Sequence, residues 1–218
     1  MLREDLQKYF DKVYPNSRVD TEHTLGGQVH IRFELSGEEL ENGTTERVNQ
    51  AVERACTLFN DTFTNSENEI WVLIYEYEGE NMFNASNEYL HQQFPKKRFK
   101  EFYNKKENVI TRYFTTDENG NEVPEKDEVR IIIGKVPSSE INIEGILRGI
   151  ANAEMGFEPA IDQRIFFFDE TSNKAFQMYD DRGCYIWSNE ADTIRDTYLK
   201  RNKWIVDYHR PEIDEYFK

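Results

Sequence analysis

Hydrophobic residues recur along the chain with two different periods, and these periods predict its helices and strands. Apolar positions three or four residues apart predict four main helices, each with one apolar stripe. These helices cover residues 2–14, 44–63, 143–154 and 190–203. A shorter helix is expected over residues 86–93. The first helix ends at Pro15, because proline cannot continue the helical hydrogen-bond ladder.

Apolar residues that alternate with polar ones predict strands. In the segment VHIRFEL, residues 29–35, this alternation places His30, Arg32 and Glu34 together on the polar face. Residues 69–79 are apolar on both faces in their first half, which is typical of a central strand covered on both sides. Further strands are expected in NVITRYFTT (108–116), DEVRIIIGKV (127–136), QRIFFFDE (163–170), KAFQMYDD (174–181) and CYIWS (184–188).

The predicted order of elements is α-β-α-β-α-β-β-α-β-β-β-α. Because the strands follow one another in groups, we expect an α+β fold. In it, a mixed or largely antiparallel sheet packs against three to four main helices. No linker rich in proline, glycine or serine and no repeat divides the 218 residues, so a single domain over residues 1–218 is expected.

The charge of the chain narrows the classes of partner. Although only 38% of the residues are hydrophobic, 14% are aromatic, and aromatic side chains bury large areas. The net charge of −15 disfavours nucleic acid and anionic membranes and suits a basic protein partner. The amino-terminal segment has no apolar signal region, and no apolar run approaches the length of a membrane span. A cytoplasmic protein without a membrane segment is therefore expected.

Acidic residues concentrate in residues 61–95, which hold seven acids and no lysine or arginine. Such a surface would speed the capture of a cationic protein. The candidate partner-binding residues are Glu67, Glu69, Glu76, Glu78 and Glu80. The alternative is a set of solvated faces whose charges balance one another within the fold.

A basic stretch follows directly, with six bases and one acid in residues 96–106. Phe99, Phe102 and Tyr103 are interleaved with these bases, a pattern also found where proteins bind single-stranded nucleic acid. This gives a further hypothesis, RNA contact through residues 96–106. The helical spacing of the aromatic residues instead favours side chains that face the core.

Two groups of polar residues could line a pocket. One is the strand face of His30, Arg32 and Glu34, and the other is the Asp180-Asp181-Arg182-Gly183 segment, with Asp181 and Arg182 as its candidate residues. Either could serve a small-molecule-binding protein or a hydrolytic enzyme. The structural alternatives are a solvated sheet face crossed by ion pairs, and a β-turn with an Arg–Asp pair in which glycine supplies a positive φ.

The sequence contains no motif that specifies a reaction. Its four histidines are not at a spacing typical of metal ligands, and neither a phosphate-binding loop nor a nucleophile elbow is present. Cys56 lies on a predicted helix seam, where packing is expected, and Cys184 follows a turn and could be partly exposed. We therefore predict no catalytic residue, metal or cofactor.

Several segments resemble one known family when they are taken in order. They are IRFEL (31–35), ERVNQAVERACTLFNDTF (46–63), ILRGIANAEMG (146–156), RIFFFDE (164–170), and YDDRGCYIW with WIVDYHRPEID near the end. Together they are similar to the bacterial domain-of-unknown-function family 3885 of Bacillus-like Firmicutes. The resemblance implies a full-length cytosolic domain and carries no activity with it.

The leading functional hypothesis is a non-enzymatic protein-binding domain of an immunity or regulatory type. It is motivated by an acidic, aromatic-rich chain without a catalytic motif. The identity of the partner and the oligomeric state stay open at this point.

Overall fold

The strands of the protein form one antiparallel sheet. A computed structural model describes residues 1–37, 39–77 and 87–218. The strands in these residues are β1 (Val29–Glu34), β2 (Glu69–Tyr77), β3 (Tyr103–Thr116), β4 (Glu122–Pro137), β5 (Arg164–Asp169), β6 (Lys174–Asp180) and β7 (Gly183–Ser188). Their order in the sheet is β1-β7-β6-β5-β2-β4-β3, and every neighbouring pair is antiparallel. The predicted α+β class is confirmed.

Seven helices accompany the sheet in the described residues. They are α1 (Leu2–Val13), α2 (Thr45–Thr62), α3 (Asn87–His91), α4 (Lys96–Phe99), α5 (Ile143–Met155), α6 (Ala191–Lys200) and α7 (Arg210–Tyr216). The four long ones, α1, α2, α5 and α6, are those that the apolar period predicted. The start of the predicted short helix, residue 86, lies outside the described residues. Among the helices that the structure describes, none has the length and apolar character needed to cross a bilayer.

The core lies on both faces of the sheet. On one face, the helical face, α2 and α5 pack on the strands, and the ring of Phe59 lies 5.2 Å from that of Phe167 and 5.5 Å from that of Phe176. On the other face, α1 covers part of the sheet, and the rings of Phe10 and Phe168 are 4.9 Å apart. Because β2 lies between these two layers, its residues 70–76 are all buried, as expected for a central strand.

The β3–β4 hairpin differs from its prediction. Its turn occupies only residues 117–121, whereas a loop over residues 117–126 was expected. The Oδ1 atom of Asp117 accepts hydrogen bonds from the N–H groups of Asn119 (2.9 Å) and Asn121 (2.8 Å), and Gly120 has a φ of 83°. These backbone hydrogen bonds, that of Asn121 first, lower the pKa of the Asp117 carboxyl group. The side chain of Asp117 thus closes a short turn. Both strands extend beyond the residues that their apolar pattern predicted.

Candidate functional site

The turn between β6 and β7 consists of Asp181 and Arg182, and the predicted Arg–Asp pair forms between Arg182 and Asp180, the last residue of β6. Asp180 Oδ1 accepts a hydrogen bond from the backbone N–H of Arg182 (2.7 Å), and Oδ2 accepts one from its Nε (2.9 Å). The hydrogen bond to Asp180 raises the pKa of the Arg182 guanidinium. The side chain of Arg182 is 57% exposed and also lies 3.4 Å from Glu154. Arg182 therefore projects into solvent-accessible space with most of its charge already compensated.

Asp181 faces away from Arg182 and toward α2. Its side chain is fully buried, and its Oδ2 atom lies 2.6 Å from Nε of Arg47, which is 11% exposed. Nη1 of Arg47 donates a second hydrogen bond to the carbonyl of Leu40 (2.9 Å). The structure thus separates Asp181 from Arg182, although the sequence had suggested one pocket for both. Asp181 attaches the turn to α2.

Position 183 requires glycine because neighbouring atoms approach its Cα closely, and not because of its φ. The prediction that Gly183 supplies a positive φ is wrong, since Gly183 is not among the glycines with that conformation. A Cβ atom at this position would lie 2.6 Å from the carbonyl oxygen of Phe33 and 2.2 Å from Oη of Tyr179. Tyr179 Oη in turn accepts a hydrogen bond from Nε of Arg32 (2.8 Å). The missing side chain of Gly183 lets Tyr179 connect β6 to β1.

The polar face of β1 lies on the same side of the sheet as α1, beyond the area that α1 covers. The guanidinium carbon of Arg32 is 5.2 Å from the ring centroid of Tyr179 and 5.9 Å from that of Tyr185. The ring of His30 is 6.4 Å from that of Tyr185. Glu34 accepts a hydrogen bond from the N–H of Gly37 (3.1 Å). Arg32 is therefore the residue of this predicted set whose side chain contacts β6.

A cleft opens where β5 and β6 separate. The two strands pair only over Phe167–Asp169 and Lys174–Phe176, although β5 begins at Arg164 and β6 continues to Asp180. The cleft between the unpaired ends has a volume of about 490 Å³. Its polar lining includes Arg112, Glu154, Gln163, Arg164, Tyr179 and Arg182. We call it the β5–β6 cleft.

Two further depressions adjoin the β5–β6 cleft. One, of about 100 Å³, shares Arg112 and Arg164 with it and is also lined by Tyr77 and Tyr113. The other, of about 230 Å³, shares Gln177 with it and is lined by His30 and Tyr185. We refer to the three together as the open-face groove. The groove contains Arg112, Arg164, Arg182, Tyr77, Tyr113, Tyr179 and Tyr185.

Arginine charges in the groove are partly neutralised by the protein itself. Arg164 lies 2.5 Å from Oε1 of Glu22, a carboxylate with only 8% side-chain exposure. The hydroxyl of Tyr77 donates a hydrogen bond to the other oxygen of Glu22 (2.5 Å). Arg112 differs, because among the residues that the structure describes its guanidinium donates a hydrogen bond to the hydroxyl of Tyr113 (3.0 Å) and not to a carboxylate. A break in the β3–β4 ladder between Ile110 and Phe114 places Arg112 beside the groove.

The predicted partner-binding glutamates do not share one surface. Glu76 is 2% exposed and lies 2.5 Å from Nε2 of His91 and 3.7 Å from Nε of Arg130. Glu69, at the opposite end of β2, pairs with Arg98 at 3.1 Å. Glu67 is exposed. Glu78 and Glu80 lie outside the described residues. Partner contact stays a prediction for the exposed Glu67 and Glu69. Glu76 is buried and already paired with His91 and Arg130.

An exposed acidic segment, of which residues 117–126 were expected to form a loop, lies at the end of the β3–β4 hairpin. We call residues 111–128 the arm; it contains six acidic and two basic residues. Tyr113 is 56% exposed and Phe114 is 66% exposed. The acidic density was visible in the sequence, since residues 117–128 hold six acids and Lys126 as their single base. The alternating pattern of the strand did not predict that Tyr113 and Phe114 are both exposed to solvent.

The aromatic residues of the basic stretch face the interior, as their spacing favoured. Phe102 is buried, and its ring lies over Gly134, where a Cβ atom would be 2.2 Å from the ring. Phe99 and Tyr103 are half-buried and pack against the core on opposite faces of the sheet. The surrounding lysines are exposed. Contact with RNA through residues 96–106 stays a prediction.

Both cysteine thiols are held in the protonated form. Burial raises the pKa of Cys184, which is fully enclosed, and raises that of Cys56 to about 11. A thiol with a raised pKa has little thiolate near neutral pH and reacts slowly. Neither side chain therefore has the properties of an activated nucleophile. In the described part of the chain, no three His, Cys, Asp or Glu side chains are grouped so that they could hold a metal ion.

We expect a thiol reagent such as dithiobis-nitrobenzoate at pH 8 to modify native Cys56 slowly and Cys184 only after unfolding. Because both pKa values are raised, the labelling rate should increase as the pH rises toward 11 for Cys56. Absorbance of the released thiolate measures both rates, and a Cys56→Ser variant isolates Cys184. Rapid labelling of Cys184 in that native variant would contradict the burial described here.

The sheet topology defines the class of this molecule as an α+β protein with a seven-stranded antiparallel sheet in its described residues. Helices cover one face of this sheet, and the other face, which holds the groove, is partly open. The chain belongs to the family described as Domain of unknown function (DUF3885), whose model matches residues 6–209. The resemblance noted in the sequence is thereby confirmed. No curated protein and no solved structure matches the chain.

Proposed function

We propose that this protein is a non-catalytic binding protein of the immunity type, which captures a basic protein partner with the arm and the adjoining open-face groove. The observation that carries the proposal is the exposed arm, where Tyr113 and Phe114 project beside six acidic residues. Exposed aromatic side chains next to a polar rim are typical of protein interfaces.

The composition of the groove supports the same function. Tyrosine and arginine are enriched among the residues that dominate the binding energy of protein interfaces, because they combine a large contact area with hydrogen bonding. Tyr77, Tyr113, Tyr179 and Tyr185 lie along the groove together with arginines. This face of the sheet is also the one that α1 leaves partly uncovered, so a partner can reach it without moving a helix.

Charge supports a basic partner. The whole chain carries −15, and the arm concentrates negative charge at an exposed position. Attraction between opposite charges mainly raises the association rate, and salt weakens it. In the groove, Glu22 and Asp180 offset the charges of Arg164 and Arg182, so these arginines repel a cation less than free ones would.

The test requires a partner, which can be captured by cross-linking in lysate of the source organism and then purified. We expect an arm variant with Glu118→Gln, Glu122→Gln, Glu125→Gln and Asp127→Asn to associate with it about ten-fold more slowly at low salt, because steering is lost. The dissociation rate should change little. Stopped-flow fluorescence at low and high salt measures both constants.

A matched control removes four charges on other surfaces, with Glu46→Gln, Glu53→Gln, Glu190→Gln and Glu215→Gln, all exposed positions. Equal slowing by the control would assign steering to net charge and contradict the role of the arm. A Tyr113→Ala, Phe114→Ala variant is expected to raise the dissociation rate instead. A partner that binds this variant and the arm variant unchanged would refute the proposal.

A small-molecule-binding or hydrolytic protein is a second candidate, favoured by the β5–β6 cleft. Its volume of about 490 Å³ falls within the usual range of ligand sites. The predicted pocket residues contribute unequally, since Arg182 lines the cleft, Arg32 reaches it through Tyr179, and Asp181 lies with Arg47. Thermal stabilisation by a metabolite, lost in an Arg182→Gln variant, would favour this candidate.

A further inference from the structure

We infer that the β5–β6 cleft receives a lysine or arginine side chain of the basic partner. This inference rests on the proposed function and adds the chemical group that is recognised and the residues that recognise it. The cleft is formed by the separated ends of β5 and β6 and by the carboxyl-terminal turn of α5, which contributes Glu154. Residues 161–163, which lead from α5 into β5, complete its wall.

Gln163 provides the first argument for a ligand that donates hydrogen bonds. Its side chain lines the cleft and the residue is only 7% exposed. The Nε2 atom donates to Oδ1 of Asn87, but the Oε1 atom is buried without a partner in the described residues. A buried acceptor without a donor costs about 1–3 kcal/mol, which a donor from outside would recover. The unmet group in this cleft is an acceptor, so it favours a ligand that brings a hydrogen-bond donor, such as the N–H groups of a lysine or arginine side chain.

Glu154 provides the second argument, because it is the least compensated of three neighbouring carboxylates. Burial raises the pKa of its carboxyl group, and the nearby Asp180 and Asp181 raise it further, against the effect of Arg182. Asp181 is neutralised by Arg47, and Asp180 by Arg182. Within the described residues, the ion pair of Glu154 is the longer contact with Arg182, at 3.4 Å. A cation placed beside Glu154 would meet a carboxylate that is not fully compensated.

The arginines of the cleft do not make it an anion site. Arg164 is bound by Glu22, and Arg182 is bound by Asp180, so neither offers a free guanidinium. Arg112 is exposed and lies on the wall formed by β3, where it contacts Tyr113. An anion in the interior of the cleft would approach Glu154 and the Oε1 atom of Gln163, and both repel it. A positively charged donor matches the chemistry of both groups.

The probe for this inference is Nα-acetyl-arginine amide, with Nα-acetyl-lysine amide beside it and Nα-acetyl-citrulline amide as the neutral isostere. We expect the arginine and lysine probes to shift the NMR signals of the Gln163 side-chain amide and of the Met178 and Tyr179 backbone. The dissociation constant should be on the order of 1–10 mM, as for one charged contact. Citrulline should bind at least about ten-fold more weakly, because it lacks the charge.

Two variants test the named groups. Glu154→Gln should weaken arginine binding about ten-fold, and Gln163→Met, which keeps the length of the side chain, should weaken it several-fold. Glu53→Gln, an exposed change on α2, is the matched control and should leave binding unchanged. Circular dichroism confirms that each variant is folded. If either cleft variant is unfolded, the comparison of arginine with citrulline still tests the inference, because it uses the unaltered chain.

Three results would overturn the inference: equal binding of citrulline and arginine, shifts confined to residues outside the cleft, or shifts of the cleft signals by acetate instead of the cationic probes. Its failure is separable from that of the proposed function. If a partner associates more slowly with the arm variant but binds Glu154→Gln unchanged, the proposed function holds and the inferred recognition in the cleft is refuted. Cleft binding of arginine in a protein that captures no partner would refute the proposed function alone.

Discussion

Replacing Asp181 with asparagine is expected to lower the free energy of unfolding by about 3–5 kcal/mol, the usual cost of removing one partner from a buried ion pair. The substitution leaves Arg47 buried with an uncompensated charge. Its Nε atom now lies 2.6 Å from a carboxylate that is fully enclosed. Because Asp181 belongs to the β6–β7 turn and Arg47 to α2, the change should loosen the attachment of this helix to the sheet.

Urea unfolding followed by circular dichroism measures this effect. A double variant, Asp181→Leu with Arg47→Met, should recover much of the loss, because two apolar side chains can replace a buried ion pair at little cost. Arg182→Gln, in the same turn, is the control for an exposed pair and should cost about 1 kcal/mol or less. A loss for Asp181→Asn no larger than that of Arg182→Gln would show that the buried pair does not anchor the turn.

Gly183→Ala is expected to destabilise the protein by about 3 kcal/mol, at the upper end of ordinary overpacking. The added Cβ would lie 2.6 Å from the carbonyl oxygen of Phe33, a backbone atom that can move only if β1 shifts. It would also displace Tyr179 from Arg32, and so break the side-chain link between β6 and β1. We therefore expect faster amide hydrogen exchange along β1 as well as a lower midpoint of urea unfolding.

Gly26→Ala provides a matched control for this change. No atom lies within 4 Å of the corresponding Cβ position, and Gly26 does not have a positive φ. Its stability should change by no more than about 0.5 kcal/mol, or rise slightly, since alanine restricts the unfolded chain. Equal effects of the two alanines, or β1 exchange that stays unchanged in Gly183→Ala, would contradict the contact between Gly183 and Phe33.

Helices and strands were predictable where one period dominates over many residues. Alternation along β1 placed His30, Arg32 and Glu34 on one face, and the continuous apolar run of β2 indicated its central position. Trp187, in the last of the strands predicted from this alternation, lies in the core and is 3% exposed. These properties depend on local spacing, which a sequence records directly.

Contacts between distant segments were not predictable in the same way. Asp181 meets Arg47 across 134 positions of sequence, and nothing in either segment identifies the other. The β5–β6 cleft exists because a ladder ends early, which depends on the twist of the whole sheet. The burial of Glu76 did leave a signal, because it shares the period-two face of Ile70, Val72 and Ile74.

The position of α1 has a consequence for synthesis on the ribosome. The hydroxyl of Tyr9 bonds to the carbonyl of Asp169, and that of Tyr14 to the carbonyl of Asn173, at separations of 160 and 159 residues. At translation rates of about 5–20 residues per second, the apolar stripe of α1 would wait roughly 10–30 s for the strands that cover it. During that interval a nascent chain would expose Phe10 and its neighbours, and so present a binding site to chaperones that act on unfinished proteins.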